Sequence, residues 1–181
     1  MKVILFSAKA QGGKDASADI LKELLEQDGE MVLLTHYADL LKYICKTYFK
    51  WDGQKDDVGR SILQKVGSDI IRKKMPDFWV RFVAEILIMF EDEWDVVLIP
   101  DTRFPNEIKV MSGLFDTLAV RVTRLDYEST LTEEQQNHIS ETALDNYQFD
   151  YYIDSKSGLD NLRIEVEKMY EYIKAKDGVN G

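Results

Sequence analysis

Cysteine is nearly absent from this chain. Cys45 is the only one in 181 residues, which excludes an internal disulfide framework and any cysteine-based metal cluster. Three prolines and ten glycines are too few and too scattered to form a linker, and no internal repeat or low-complexity stretch appears, so residues 1–181 are expected to form a single domain. No apolar run approaches the roughly 18–20 residues that cross a bilayer. The opening Met-Lys-Val-Ile-Leu-Phe-Ser has one basic residue and a short apolar run; that is too little for a signal peptide and reads as a buried first strand. Together these absences lead to the expectation of a cytoplasmic protein without a membrane partner. Basic residues are also scarce, 23 Lys and Arg against 33 Asp and Glu, for a net charge of −10. A phosphate backbone needs a basic face, so nucleic acid is not expected as a partner. A small anionic ligand needs only a few basic groups gathered in one cleft.

What remains is an ordinary globular composition, 45% hydrophobic and 31% charged, with enough chain for a real core. Apolar runs recur at residues 3–6, 31–34, 96–99 and 118–122, with a weaker one at 151–153. The first and third are continuous, the pattern of strands covered on both faces. Helical stripes lie between them: Ile20, Leu21, Leu24 and Leu25; Leu40, Leu41, Ile44, Cys45, Tyr48 and Phe49; Val58, Ile62, Leu63, Val66 and Ile70; then Phe78, Trp79, Phe82, Val83, Ile86, Leu87 and Phe90. Cys45 falls on an apolar stripe and is expected in the core. Pro76 separates a helix ending near Lys74 from one beginning near Asp77. A last helix is expected behind Ser157, capped with the help of Asp160. Such alternation implies an α/β fold, a parallel five-stranded sheet with helices on both faces. Ligands of such folds bind beyond the carboxyl ends of the strands.

After the first strand comes Ala8-Lys-Ala-Gln-Gly-Gly-Lys14-Asp15 and then an amphipathic helix. This is close to the phosphate-binding loop G-x-x-x-x-G-K-[ST] in its strand–loop–helix setting. Gly12 and Gly13 allow backbone N–H groups of Lys9, Ala10, Gln11, Lys14, Asp15 and Ala16 to converge on phosphate oxygens, and the helix start adds its positive dipole end. Lys14 would bridge the β- and γ-phosphates of ATP. Ala8 replaces the first glycine. Asp15 replaces the residue that normally holds Mg²⁺; its carboxylate can bind the ion, or it is simply an acid favoured in a first helical turn.

The other strand ends carry further candidates. The second leads into His36-Tyr37-Ala38-Asp39 and Lys42, either an acceptor site or an N-cap aspartate with a solvated lysine. The third ends in Pro100-Asp101-Thr102-Arg103. Asp101 stands where a second Mg²⁺-organising carboxylate would, and Arg103 where it could hold an anionic acceptor; a turn aspartate and a surface arginine are the plainer account. Arg124 closes the fourth strand, and Arg121 inside it is expected in an ion pair. The loop 154–157 either approaches the adenine or caps the last helix through Ser157. Arg60, Arg72 and Arg81 lie on helices flanking Pro76 and are candidates for phosphate contacts. Residues 125–141 read as an acidic loop without arginine, a candidate lid, with His138 on its surface.

These segments resemble the phage-type deoxynucleoside monophosphate kinases. The likeness rests on Phe6-Ser7 through Gly13-Lys14-Asp15 with Ala18-Asp19, on Ala38-Asp39 with Lys42, and on Leu63-Gln64 with Gly67-Ser68-Asp69. It continues in Arg72, Trp79, Pro100-Asp101-Thr102-Arg103, His138-Ile139-Ser140-Glu141 and Phe149-Asp150 through Ile153. Animal-type phosphomevalonate kinases are similar over the same stretches. The resemblance implies a three-layer P-loop NTPase fold of the nucleoside monophosphate kinase kind and phosphoryl transfer from ATP with Mg²⁺ to a (deoxy)nucleoside monophosphate, by a monomer or homodimer. It implies Lys14, Asp101 and Arg103 as catalytic residues and Asp15 and Asp101 as metal ligands. Asp39, Lys42, Gln64, Arg72, Trp79 and Arg103 would take the acceptor, and Arg124 would join the loop on ATP. The alternatives are a kinase of another small phosphorylated metabolite, such as phosphomevalonate, or a nucleotide-binding module without turnover. A guanine-nucleotide switch is disfavoured because no Asn-Lys-x-Asp motif occurs.

Overall fold

A computed structural model of the chain describes residues 1–54 and 56–178. Five strands, β1 (Lys2–Ser7), β2 (Val32–Leu34), β3 (Val96–Ile99), β4 (Asp116–Arg124) and β5 (Tyr151–Ser155), form one sheet in the order β2-β3-β1-β4-β5. Its neighbouring strands all run parallel. The continuous apolar runs have a simple cause. Ile4 and Phe6 of β1, with Leu98 of β3, pack on one face of the sheet. Val3 and Leu5, with Val97 and Ile99, pack on the other. Both faces of these strands are buried, and burying each large apolar side chain contributes about 1.5–3 kcal/mol.

The first face is covered by α1 (Lys14–Gln27) and α8 (Leu159–Gly178). The second is covered by α4 (Phe78–Met89) and α5 (Pro105–Ser112), with α2 (Ala38–Phe49) beside them. A smaller cluster around Cys45, Trp51 and Val66 joins α2 to α3 (Asp57–Gln64) and to the π-helical segment Lys65–Arg72 that continues it. Cys45 is thus a core residue, as expected, and burial pushes its thiol up.

Three local readings need correction. α5 has no counterpart among the predicted stripes. It starts with Pro105 in its first turn, and the Glu107 carboxylate accepts the Phe104 N–H at 2.9 Å. Residues 125–141 are not wholly loop: they hold α6 (Glu133–Asn137) and the start of α7 (Ile139–Thr142). Ser157 does not cap α8. Its hydroxyl accepts from Arg124 at 2.9 Å and donates to Asp126 at 2.7 Å.

Gly59, in the first turn of α3, is held where a side chain has no space. A Cβ there would lie 1.9 Å from the Gln54 carbonyl oxygen and 2.6 Å from Trp51 Nε1. Overpacking against backbone costs about 1–3 kcal/mol or more, whereas Gly113, whose Cβ would meet nothing closer than 3.4 Å, is roomy. Urea denaturation should therefore show Gly59→Ala at least about 2 kcal/mol less stable than Gly113→Ala; equal midpoints would contradict this packing.

Candidate active site

The loop between β1 and α1 has the backbone that a phosphate cradle requires. Gly13 sits at φ 95° and Gln11 at φ 60°, in the left-handed region, so the chain turns sharply and α1 begins at Lys14. Gly12 cannot carry a side chain without crowding, since a Cβ would come within 3.0 Å of the Lys9 carbonyl oxygen and of Ala8 Cβ. Ala8 itself is buried in the core; its methyl group fits because Gly12 has none. Lys14 Nζ lies 2.6 Å from Asp15 Oδ2, and His36 Nε2 lies 3.6 Å from the other Asp15 oxygen. Burial pushes the Asp15 carboxyl up, but hydrogen bonds from His36 and Lys14 overcome this and hold it far below the usual range. The bond to Asp15 raises His36 above the ordinary imidazole value.

The end of β3 does two things. Asp101 turns both carboxylate oxygens onto the start of α2, accepting the Tyr37 N–H at 3.0 Å and the Ala38 N–H at 2.9 Å. Asp39 is therefore not the N-cap of that helix; it sits inside the first turn and pairs with Lys42 at 2.7 Å. Each Asp101 oxygen keeps a lone pair for another partner. Two residues on, Arg103 enters the cleft and donates to Glu141 Oε1 and, at 3.3 Å, to the Ser140 carbonyl oxygen.

Opposite stands Arg72, at the end of the π-helical segment. It donates to Glu107 Oε1 at 2.6 Å, and its guanidinium lies 3.8 Å from the centre of the Phe104 ring. Glu107 is 1% exposed and accepts the Arg103 N–H at 2.7 Å as well. Burial pushes its carboxyl up, against the pull of Arg72 and the two N–H donors. Trp79, also buried, donates its indole N–H to the Gly67 carbonyl oxygen at 3.1 Å; it fixes the π-helical segment from behind.

These groups surround a cavity of about 290 Å³. Lys14, Asp15, Lys42, Gln64, Arg72, Trp79, Asp101 and Arg103 all line it. Arg60 reaches the same cavity, while Arg81 faces outward toward Asp77 at 3.9 Å. Lys9, Ala10, Gln11, Gly12 and Gly13 belong to the loop and Ala16 to the first turn of α1; none of them lines the cavity. Arg124 is not in the cavity; it lies over the Tyr127 ring at 4.9 Å and bonds Ser157, on the far side of the loop. Arg121 pairs with Asp145 at 3.5 Å, as expected for a charge inside a strand. His138 accepts the Ser140 N–H at 3.2 Å and so caps α7. Glu107 was not singled out from the sequence, and His36 and Glu141 were read only as parts of their segments, without a role of their own. For Glu107 a signal existed, an acid three residues behind a helix start with proline.

The model of the family described as "Deoxynucleotide monophosphate kinase" matches residues 26–166. The chain belongs to the deoxynucleotide monophosphate kinase family. Kinases of this family transfer phosphoryl groups and bind small nucleotides, and this chain is such a phosphotransferase. Its backbone resembles the APS kinase of Mycobacterium tuberculosis solved with AMPPNP and APS, at 12% identity and TM-score 0.51, over 94% of this chain and 97% of that one. It likewise resembles the protein APE1195, at 13% identity and TM-score 0.51, over 97% and 95%. At such identities the likeness speaks for the fold, a three-layer α/β P-loop fold. Among curated proteins none matches the chain.

The kinase's buried pair and its surface pairs should differ sharply in stability. Removing one partner of a buried pair costs about 3–5 kcal/mol, and an exposed pair contributes about 0–1 kcal/mol. Glu107→Ala should lose about 3 kcal/mol or more in urea unfolding, and Glu23→Ala, which frees the exposed Arg163, less than about 1 kcal/mol. Similar losses would contradict the buried assignment.

Proposed function

We propose that this kinase moves the γ-phosphoryl group of ATP onto a deoxynucleoside monophosphate, within a single domain. The observation that carries this reading is that Lys14, Arg72 and Arg103 line one cavity together. Donor and acceptor phosphates meeting there would be held from both sides. The family match supports a nucleotide acceptor over phosphomevalonate.

On the donor side, Lys14 follows charge from the β- to the γ-phosphate while N–H groups of Gln11 and of residues 13–16 hold the phosphates; those of Ala10 and Gly12 are committed to Glu141 and to the Lys9 carbonyl. Arg124 and the Tyr127 ring lie where the adenine end would leave the loop. The oxygen ligands present suit Mg²⁺, which is typically held by one or two carboxylates with the substrate's own phosphates; Asp15 and Asp101 would hold it. The ion would supply charge neutralisation on the phosphates. On the acceptor side, Arg103 and Arg72 grip the existing phosphate through planar N–H forks, while Asp39, Lys42, Gln64 and the wall fixed by Trp79 shape the room for the nucleoside. An acceptor phosphate oxygen is already anionic, so it can attack the γ-phosphorus without a general base. A new P–O bond forms as the bond to the ADP oxygen breaks. Leu131 and Gln135 line the cavity, which supports a lid role for residues 125–141.

The test is ADP release with each common dNMP and NMP and with mevalonate 5-phosphate. Release with a dNMP is expected, and release with none of the nucleotides would overturn the reading. Lys14→Ala should stay folded and lose about a hundredfold or more in kcat, the usual cost of one transition-state charge contact. Arg103→Lys should damage acceptor kinetics much more than the KM for ATP; an ATP-specific defect would move Arg103 to the donor side.

A further inference from the structure

Glu141 is the one acid that ties the phosphate loop to the acceptor arginine. Its side chain is 8% exposed. One carboxylate oxygen accepts the Ala10 N–H at 3.0 Å, and the other accepts from Arg103 Nη1. The backbone around it is fastened to the same loop, because Lys9 Nζ donates to the Glu141 carbonyl oxygen at 2.7 Å and to Asp145 at 2.7 Å. At the other end of α7, His138 Nε2 lies 3.8 Å from Asp69 of the π-helical segment. The short helix α7 and its cap thus join the phosphate loop, Arg103 and the π-helical segment, and Glu141 makes the first two of these contacts.

The geometry points to Glu141 as a positioning residue for phosphoryl transfer, one that fixes the Arg103 guanidinium relative to the phosphate loop; this rests on the kinase reading above. The chemistry favours orientation over simple neutralisation. A guanidinium has five N–H donors in a rigid fork. With one nitrogen held by Glu141, the plane is set and the remaining donors stay available to a phosphate. Ala10 also precedes the stretch 13–16 where α1 begins, so Glu141 can hold the loop while those later N–H groups stay available to phosphate. Donor and acceptor sites are then registered through one carboxylate. An oxygen misplaced by about 1 Å can cost about a hundredfold in rate, so such registration belongs in kcat.

The experiment compares wild type, Glu141→Gln, Glu141→Asp, Arg103→Ala and the double variant Arg103→Ala/Glu141→Gln, varying ATP and the best dNMP in turn. Gln keeps the shape but offers one acceptor oxygen, so one of the two bonds must fail. Glu141→Gln is expected to lower kcat by about 10- to 100-fold while the KM for ATP changes less than about twofold. Glu141→Asp should recover part of that loss by restoring the charge, and the double variant should be no slower than Arg103→Ala, because the two residues act as one unit. If Glu141→Gln does not fold, the Asp variant and its double with Arg103→Ala carry the same test. Losses that multiply in the double variant, or an unchanged Glu141→Gln, overturn the inference while leaving the kinase reading intact. A faster Glu141→Gln with a lower acceptor KM overturns it in favour of an inhibitory latch. Wild type inert with every nucleotide overturns the kinase reading and this inference together.

Discussion

A cation drawn partly out of water is best paired, and that constraint shapes the cleft of this protein. Taking a charged group out of water costs several kcal/mol unless an opposite charge and well-placed hydrogen bonds offset it. Lys14 accordingly faces Asp15, Arg72 faces Glu107, Arg103 faces Glu141 and Arg121 faces Asp145. The cleft gathers basic groups without gathering much net charge, which suits a chain whose overall charge is −10. On the proposed reading, phosphates there would meet directional N–H donors already held in place, and pre-set donors are what stabilise charge as it moves in a transition state.

The strand order determines that these pairs can form at all. β1 lies between β3 and β4, so the phosphate loop, the Asp101–Arg103 turn and the arginines of β4 leave the sheet side by side. Asp101 then joins two tasks. By accepting two N–H groups of α2 it orients the helix that carries Lys42, while standing beside the loop that carries Asp15. The π-helical segment also supplies Arg72 to the cavity, and its Gly67 packs so closely that a Cβ would lie 2.7 Å from the end of the Leu41 side chain. π-Helical turns are often found at functional sites, and here the turn ends on the arginine that faces Glu107.

Legibility followed the range of the interactions. The strands could be read because both faces of β1 and β3 are apolar, and such runs need no knowledge of their neighbours. Lys14 and its glycines could be read because the motif is local. α5 was missed because its eight residues bury only Glu107, Ile108 and Met111, too few to make a stripe. α6 and α7 were read as loop for the same reason; they are held at their starts, by Thr132 with Gln135 and by His138 with Ser140. Glu107 and Glu141 look like surface acids in the sequence. Their partners lie 35 and 38 residues away, and only the packed fold removes them from water. Trp79 was expected near substrate, and it lines the cavity with its indole N–H committed to Gly67.

The central claim is that one cleft holds both phosphate chains, with Arg103 between them. It is tested most directly by the binding of a bisubstrate analogue, adenosine and a deoxynucleoside joined through five phosphates. Linking two occupants makes the second contact intramolecular and raises affinity well above either alone. Calorimetric titration should show one analogue per chain, displaced by ATP and by the dNMP alike. An analogue that binds no more tightly than ATP, and that the dNMP cannot displace, would show that the two sites do not share this cleft.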